Sequence, residues 1–190
     1  DRSEHSLLSI GLGFKDYVME AVEQADLIIT IGYDIAEYSP HTWNHNKDKR
    51  ILHIDFGPAE VYTHYNPEVE VVADISATLW ELNRQLSEEE FDFDTSWYKP
   101  IRERILNDIN SYALTEGEPF TVPGVLHQIR QLLNDDCLMI SDVGSHKMWI
   151  ARNFPTYCHN GCVISNGLAS MGISLPGAIA ASLIDPHRQV

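Results

Sequence analysis

Apolar positions along this chain change their period several times, and each change marks a predicted element. After a polar opening over 1–14, loop-like around Gly11 and Gly13, Val18, Ala21, Val22 and Ala25 fall at i, i+3, i+4 and i+7. That is one face of a 3.6-residue period, and it predicts a helix from Lys15. Leu27-Ile28-Ile29-Thr30-Ile31 is a continuous β-branched run closed by Gly32, which predicts a buried strand of a parallel sheet. Residues 33–50 are polar and read as a long loop or short helix. Strands are predicted at 50–54 and 69–72, and a helix at 75–86 with Ile75, Leu79, Leu82 and Leu86 on one stripe.

The stretch 87–96, SEEEFDFDTS, is acidic, lacks an apolar stripe and reads as a solvated linker. Ile101, Ile105, Ile109 and Ala113 then recur four apart in a predicted helix over 97–113, followed by a break at 115–119. A second amphipathic helix runs from Thr121, a good N-cap, with Pro123 tolerated in its first turn. Strands at 137–140 and 162–164 each lead into a glycine-bearing turn and then a helix, at 147–153 and 173–184. The last helix is apolar nearly all round, which predicts burial within a larger domain and exposed apolar surface in this piece alone. Asp185-Pro186 should turn the chain into the start of another strand. The alternation defines an α/β fold, parallel sheets flanked by helices, as two partial doubly wound domains joined by a linker. Residues 1–86 read as the second half of a Rossmann-like domain, 87–120 as a linker containing a helix, and 121–190 as the first part of another domain. With about three strands in the first part, and a start at Asp1 rather than Met, the chain is expected to be a piece of a longer polypeptide.

Composition narrows the partners. Of 190 residues, 44% are hydrophobic and 22% charged, as in an ordinary globular protein with a sizeable core. A formal net charge of −15 argues against a nucleic-acid backbone or an anionic membrane as the main partner. An anionic small ligand remains compatible, because a local nest of N–H groups binds phosphate inside an acidic protein. No segment is long and apolar enough to span a bilayer, and no signal peptide is visible. Three cysteines without a regular framework, Cys137, Cys158 and Cys162, suit reduced thiols and a cytoplasmic location.

The candidate chemistry concentrates in 141–182. In Asp142-Val143-Gly144-Ser145-His146, the residues Gly144, Ser145 and His146 can present a backbone N–H, a hydroxyl and an imidazole to an anion at a helix start. The same residues equally suit an ordinary strand-to-helix connection capped by Ser145. In the second turn, Asn166-Gly167 is a strong turn dipeptide, and Met171 is either a wall for a flat ligand or core filler. Asp34, Glu37 and Asp55 follow strands and suit either a ribose hydroxyl, acid–base work or helix capping. No G-x-G-x-x-G follows a strand, and no G-x-S-x-G or H-E-x-x-H occurs. Cys158-His159-Asn160-Gly161-Cys162 lacks a second ligand pair for a structural zinc.

Taken together, DVGSHKMWIAR and SNGLASMGISLPGAIAAS resemble the motifs D-V-G-x-H-x-x-W-A-A-x and S-G-G-L-G-x-M-G-x-x-L-P-A-A-I-G-A of thiamine-diphosphate-dependent enzymes of the acetolactate synthase type. Trp149, Leu175, Pro176 and Ile179 are among the matching positions. The upstream runs ADLIITIGYDIAEYSPHTWN, RILHIDFGPAEV and NPEVEVVADI resemble the second half of that family's central domain, so the likeness covers nearly the whole chain. The resemblance implies a carboligase that joins two molecules of pyruvate, or a related 2-oxo acid, into 2-acetolactate and CO2. It implies thiamine diphosphate and Mg2+ as cofactors and a homodimer or homotetramer. By position, Gly144, Ser145 and His146 would meet the diphosphate, Gly167 would shape the second turn, the Ala169 backbone would face the aminopyrimidine, and Met171 would lie under the bent cofactor.

The departures have consequences of their own. Family members often carry Gln at position 145 and Gly at 169, so a side-chain contact from 145 is lost while a backbone contact from 169 survives. The FAD-containing branch has R-F-D-D-R where this chain has Tyr33-Asp34-Ile35-Ala36-Glu37-Tyr38, which points to the FAD-free, catabolic branch. The family's catalytic glutamate and its metal-anchoring G-D-G…N motif have no counterpart in these residues, so no catalytic or metal residue is assigned, and the piece alone is expected to be inactive. Another 2-oxo-acid decarboxylase or carboligase, or a non-catalytic α/β binding module, are the alternatives.

Overall fold

The computed structural model describes residues 1–11, 15–88, 94–114 and 119–190. Parts of the polar opening, the acidic linker and the break before Thr121 therefore lie outside the described residues. The chain folds as two compact units, Met19–Trp97 on one hand and Asp1–Val18 with Tyr98–Val190 on the other.

In the first of these, α1 (Val18–Gln24) leads into β1 (Leu27–Ile31), and the four-residue helix α2 (Pro40–Trp43) precedes β2 (Arg50–Asp55), β3 (Val69–Val72) and α3 (Ile75–Leu86). The strands are parallel in the order β1-β2-β3, with Ile28 opposite Ile51 and Ile54 opposite Val71. β2 is central and carries the most deeply buried aliphatic side chains, Ile51 and Ile54. The polar stretch 33–50 earns α2 because Pro40 fits the first helical position, where its missing N–H costs nothing. α2 delivers Trp43 to a core with Ile51 and Tyr65. The Tyr65 hydroxyl is satisfied by Thr30 Oγ1 at 2.6 Å and His53 Nδ1 at 2.8 Å. Asp74 caps α3 by accepting from the Ala77 N–H at 2.7 Å.

The second unit begins with residues 1–18 and continues through α4 (Lys99–Asn110), α5 (Val122–Leu132), β4 (Met139–Ser141), α6 (His146–Asn153), β5 (Cys162–Ile164) and α7 (Ser174–Ile184). Ile101, Ile105 and Ile109 are buried, as their fourfold spacing requires. Thr121 caps α5 through Gly124 N–H, and Arg130 donates to the carbonyls of Leu133 and Asn134 past the end of that helix. Leu126, Cys137, Ile150 and Phe154 form the buried core. β4 and β5 pair in parallel, Ser141 opposite Ile164. β4 starts two residues later than the run 137–140 predicts, because Cys137 N–H bonds to Asn134 O in a turn and the ladder begins at Met139.

The burial expected of β1 fails, while the exposed apolar surface expected of this piece is found on α7. In β1, Leu27, Ile29 and Ile31 are exposed, Ile29 by 49%, and only Thr30 is buried. In α7 no residue is buried, and Leu183 and Ile184 are 77% and 84% exposed. An all-apolar helix reports what the side chains prefer, and here nothing among the described residues covers that face. Such a patch seeks a partner. The isolated 190-residue chain is therefore expected to self-associate in light scattering, whereas a monodisperse monomer at tens of micromolar would contradict the exposed α7 face.

Candidate functional site

β4 and β5 are adjacent and parallel, so the turns that leave them open at the same end of the sheet, the carboxyl end where open α/β sheets bind ligands. The first turn carries Asp142 to Ser145. Gly144 has φ +150°, and a Cβ there would stand 2.9 Å from the His146 ring, so glycine is needed both for the backbone and for the close approach of that imidazole. His146 Nε2–H donates back to the Asp142 carbonyl at 3.1 Å, which folds the ring onto the turn.

Ser145 occupies the cap position of α6 but makes no side-chain cap bond, so it does not act as the cap that an ordinary connection would use. The first backbone bonds of the turn are Lys147 N–H to Gly144 O and Met148 N–H to Ser145 O. The N–H groups of Gly144, Ser145 and His146 precede that ladder, and no acceptor for them occurs among the described residues. Gly144 and Ser145 are exposed. Together they form an open set of donors at the positive end of α6, matched to a phosphate.

The second turn is shaped by left-handed backbone at Gly167 (φ +69°), Ala169 (φ +46°) and Gly172 (φ +89°). Ala169 holds a conformation that glycine adopts more easily, at a cost of about 1–2 kcal/mol. Leu168 and Met171 are 99% and 83% exposed, so Met171 is not core filler.

What joins the turns is a residue to which the sequence reading gave no role. The Asp142 carboxylate accepts from Val143 N–H at 2.7 Å and from Gly172 N–H at 2.8 and 2.9 Å. Ser174 adds its hydroxyl at 3.0 Å and its N–H at 3.4 Å. These donors, Val143 N–H first, hold the carboxyl at about 2, against an ordinary 3.8. Nearer β5, Lys147 Nζ donates to Asn166 Oδ1 at 3.4 Å. The structure thus brings Gly144, Ser145 and His146 to the same sheet end as the loop bearing Gly167, Ala169 and Met171.

The acidic candidates of the other unit have local duties. Asp34 accepts from Ala36 N–H and Asp55 from Phe56 N–H. Both line a cleft of about 260 Å³ at the carboxyl ends of β1 and β2, with Glu60, His53 and Tyr65, and no Lys or Arg among the described residues lines it. Glu37 lies along a neighbouring depression beside Tyr38. Cys158 bonds to Cys137 O and receives Arg188 at 3.4 Å. No group of three His, Cys, Asp or Glu among the described residues is placed to hold a metal ion, and no helix among them is long and apolar enough to cross a membrane.

Residues 1–82 match the family model for the central domain of thiamine pyrophosphate enzymes, and residues 142–190 match the model for their C-terminal thiamine pyrophosphate binding domain. An acetolactate synthase of Bacillus subtilis is 34% identical over 180 residues, covering 89% of this chain and 30% of its own length. A catabolic acetolactate synthase of Raoultella terrigena is 34% identical over 177 residues, again 89% of this chain and 30% of its own length. A pyruvate oxidase of Lactiplantibacillus plantarum is 31% identical over 176 residues, 90% of this chain and 28% of its own length. The chain spans just under a third of the length of these curated relatives.

Two outcomes test this geometry. Gly144→Ala forces a side chain into a backbone region open almost only to glycine and displaces the His146 ring; chemical denaturation should show a loss of about 1–3 kcal/mol. The Asp142 carboxyl, with its pKa depressed on folding, should lend stability that is complete above the ordinary carboxylate range and is lost as pH falls from about 4 towards 2. A carboxyl NMR titration of Asp142 should find a midpoint near 2; one near 4 would mean the bonds to Gly172 and Ser174 do not hold in solution.

Proposed function

The chain belongs to the thiamine pyrophosphate enzymes, and from that membership we propose that it supplies the central and cofactor-binding parts of an acetolactate synthase that joins two molecules of pyruvate into 2-acetolactate and CO2. The observation that carries this reading is the pair of turns opening at one end of β4 and β5, one with unclaimed N–H donors and both fastened to Asp142. Its support among relatives is the 34% identity to two acetolactate synthases.

The residues suit thiamine diphosphate. The N–H groups of Gly144, Ser145 and His146 would hold the diphosphate without a basic side chain. Gly167 shapes the loop, Ala169 offers its backbone to the aminopyrimidine, and Met171 offers a polarisable apolar surface to a flat ring. The cofactor supplies an electron sink for the carbon left when CO2 departs. This chain's part is to bind and orient that group, since no catalytic acid is assigned to it. Mg2+ belongs to the proposal for the whole enzyme, but the described residues offer it no ligand set. The cleft at β1 and β2 is lined by Asp34, Asp55 and Glu60 and, among the described residues, by no Lys or Arg to pair with a dinucleotide's phosphates. That favours the FAD-free, catabolic branch.

The whole enzyme is proposed as a cytoplasmic homodimer or homotetramer, with 1–86 in its central domain, 87–120 as connection and 121–190 in the cofactor domain. A second reading, another 2-oxo-acid decarboxylase or carboligase, draws on the 31% identity to a pyruvate oxidase. In the full-length polypeptide carrying this chain, with thiamine diphosphate and Mg2+, pyruvate should be consumed and acetoin should appear after acid treatment. Pyruvate consumption without acetoin assigns the second reading, and no turnover of pyruvate rejects the acetolactate synthase reading.

A further inference from the structure

α7 begins without a cap of its own. Its cap position is Ile173, whose side chain cannot accept a hydrogen bond. The loop before it has little internal support: its one backbone bond is Ala169 N–H to Asn166 O at 3.4 Å, and it holds three residues with positive φ. The missing acceptor comes from thirty residues earlier, where the Asp142 carboxylate takes the Gly172 N–H and both donors of Ser174. A negative charge there also opposes the positive end of α7. Asp142 in turn sits at the root of the Gly144 turn, fixed by Val143 N–H, while its own carbonyl holds the His146 ring. One residue therefore addresses both turns, by side chain to one and by main chain to the other.

We propose that Asp142 is a positioning residue that locks the 166–174 loop onto the Gly144 turn and so sets the spacing between the two halves of the cofactor site. It touches no cofactor in this role. It acts through Gly172 and Ser174 on the backbone that carries Ala169 and Met171, and through His146 on the donors of the first turn. The lock itself rests on geometry, and only its consequence for thiamine diphosphate rests on the function proposed above.

The test uses the full-length enzyme and Asp142→Asn, which keeps the size, removes the charge and turns an amide donor towards the Gly172 or Ser174 donors. Without cofactor, chymotryptic cleavage after Leu168 or Met171 should accelerate roughly tenfold, the loss of a charge-assisted contact. Calorimetric affinity for thiamine diphosphate with Mg2+ should weaken by about the same factor, with the pyruvate KM at saturating cofactor unchanged. A merely structural role would lower the melting temperature of the variant and leave cofactor affinity intact, and that result overturns the proposal, as does unaltered cleavage. Faster cleavage in a protein whose wild type binds no thiamine diphosphate upholds the lock and rejects the functional reading. Should Asp142→Asn fail to fold, Ser174→Ala, which removes one donor to the same carboxylate, must raise cleavage and weaken binding about threefold; no change in either overturns the proposal.

Discussion

A single carboxylate holds the ligand end of this sheet together. β4 and β5 share only three paired residues each, too short a ladder to dictate where two long turns go. Asp142 makes up the difference with donors that are local in space and distant in sequence. Because a carboxylate accepts at two oxygens, it can terminate one element and begin another at once. At the start of α7 it takes the Ser174 N–H, whereas at the start of α6 no acceptor among the described residues takes the N–H groups of Ser145 and His146. The two helix starts thus differ in what answers them: a carboxylate from another element at α7, and open donors at α6.

The periodic elements were legible because their causes are local. The strand 27–31, the helix 75–86 and the isoleucine stripe of α4 follow from spacing alone, and Thr121 announces α5 through its own hydroxyl. Burial was not legible for β1, since apolarity states what a face prefers and not what lies against it. α2 hid inside a polar stretch, and only Pro40 ahead of Trp43 hinted at it. The glycines and the Asn166-Gly167 dipeptide marked the two turns that open at one end of β4 and β5. Asp142 passed as part of a motif because its partners stand thirty residues away, and no local rule pairs an aspartate with a glycine N–H at that distance. The signal that could have found it is the bare cap position of α7, where Ile173 stands in place of Ser, Thr, Asp or Asn.

The Met19–Trp97 unit carries a network of buried polar groups. Tyr65 is buried with its hydroxyl between Thr30 and His53, and burial pushes its phenol pKa up. Trp43 donates to Tyr33, and Asn44 to His64 O. Such closed networks fix one packing of the core, since any slip would strand a buried donor. The acidic rim at the ends of β1 and β2 is the contrary case: carboxylates gathered with no Lys or Arg beside them among the described residues, in a fold position that elsewhere receives phosphate-bearing ligands.

Arg188 and Gln189 lie at the amino ends of β4 and β5. Leu138 N–H donates to Gln189 O at 2.8 Å, and Arg188 reaches the carbonyls of Asp136, Cys137 and Asn160. Arg188 thereby ties the segment that enters β4 to the segment that enters β5, at the end of the strands opposite the two turns. The short ladder is clamped at its entry by a guanidinium and at its exit by a carboxylate, so neither strand can slide along the other without breaking a charge-assisted contact.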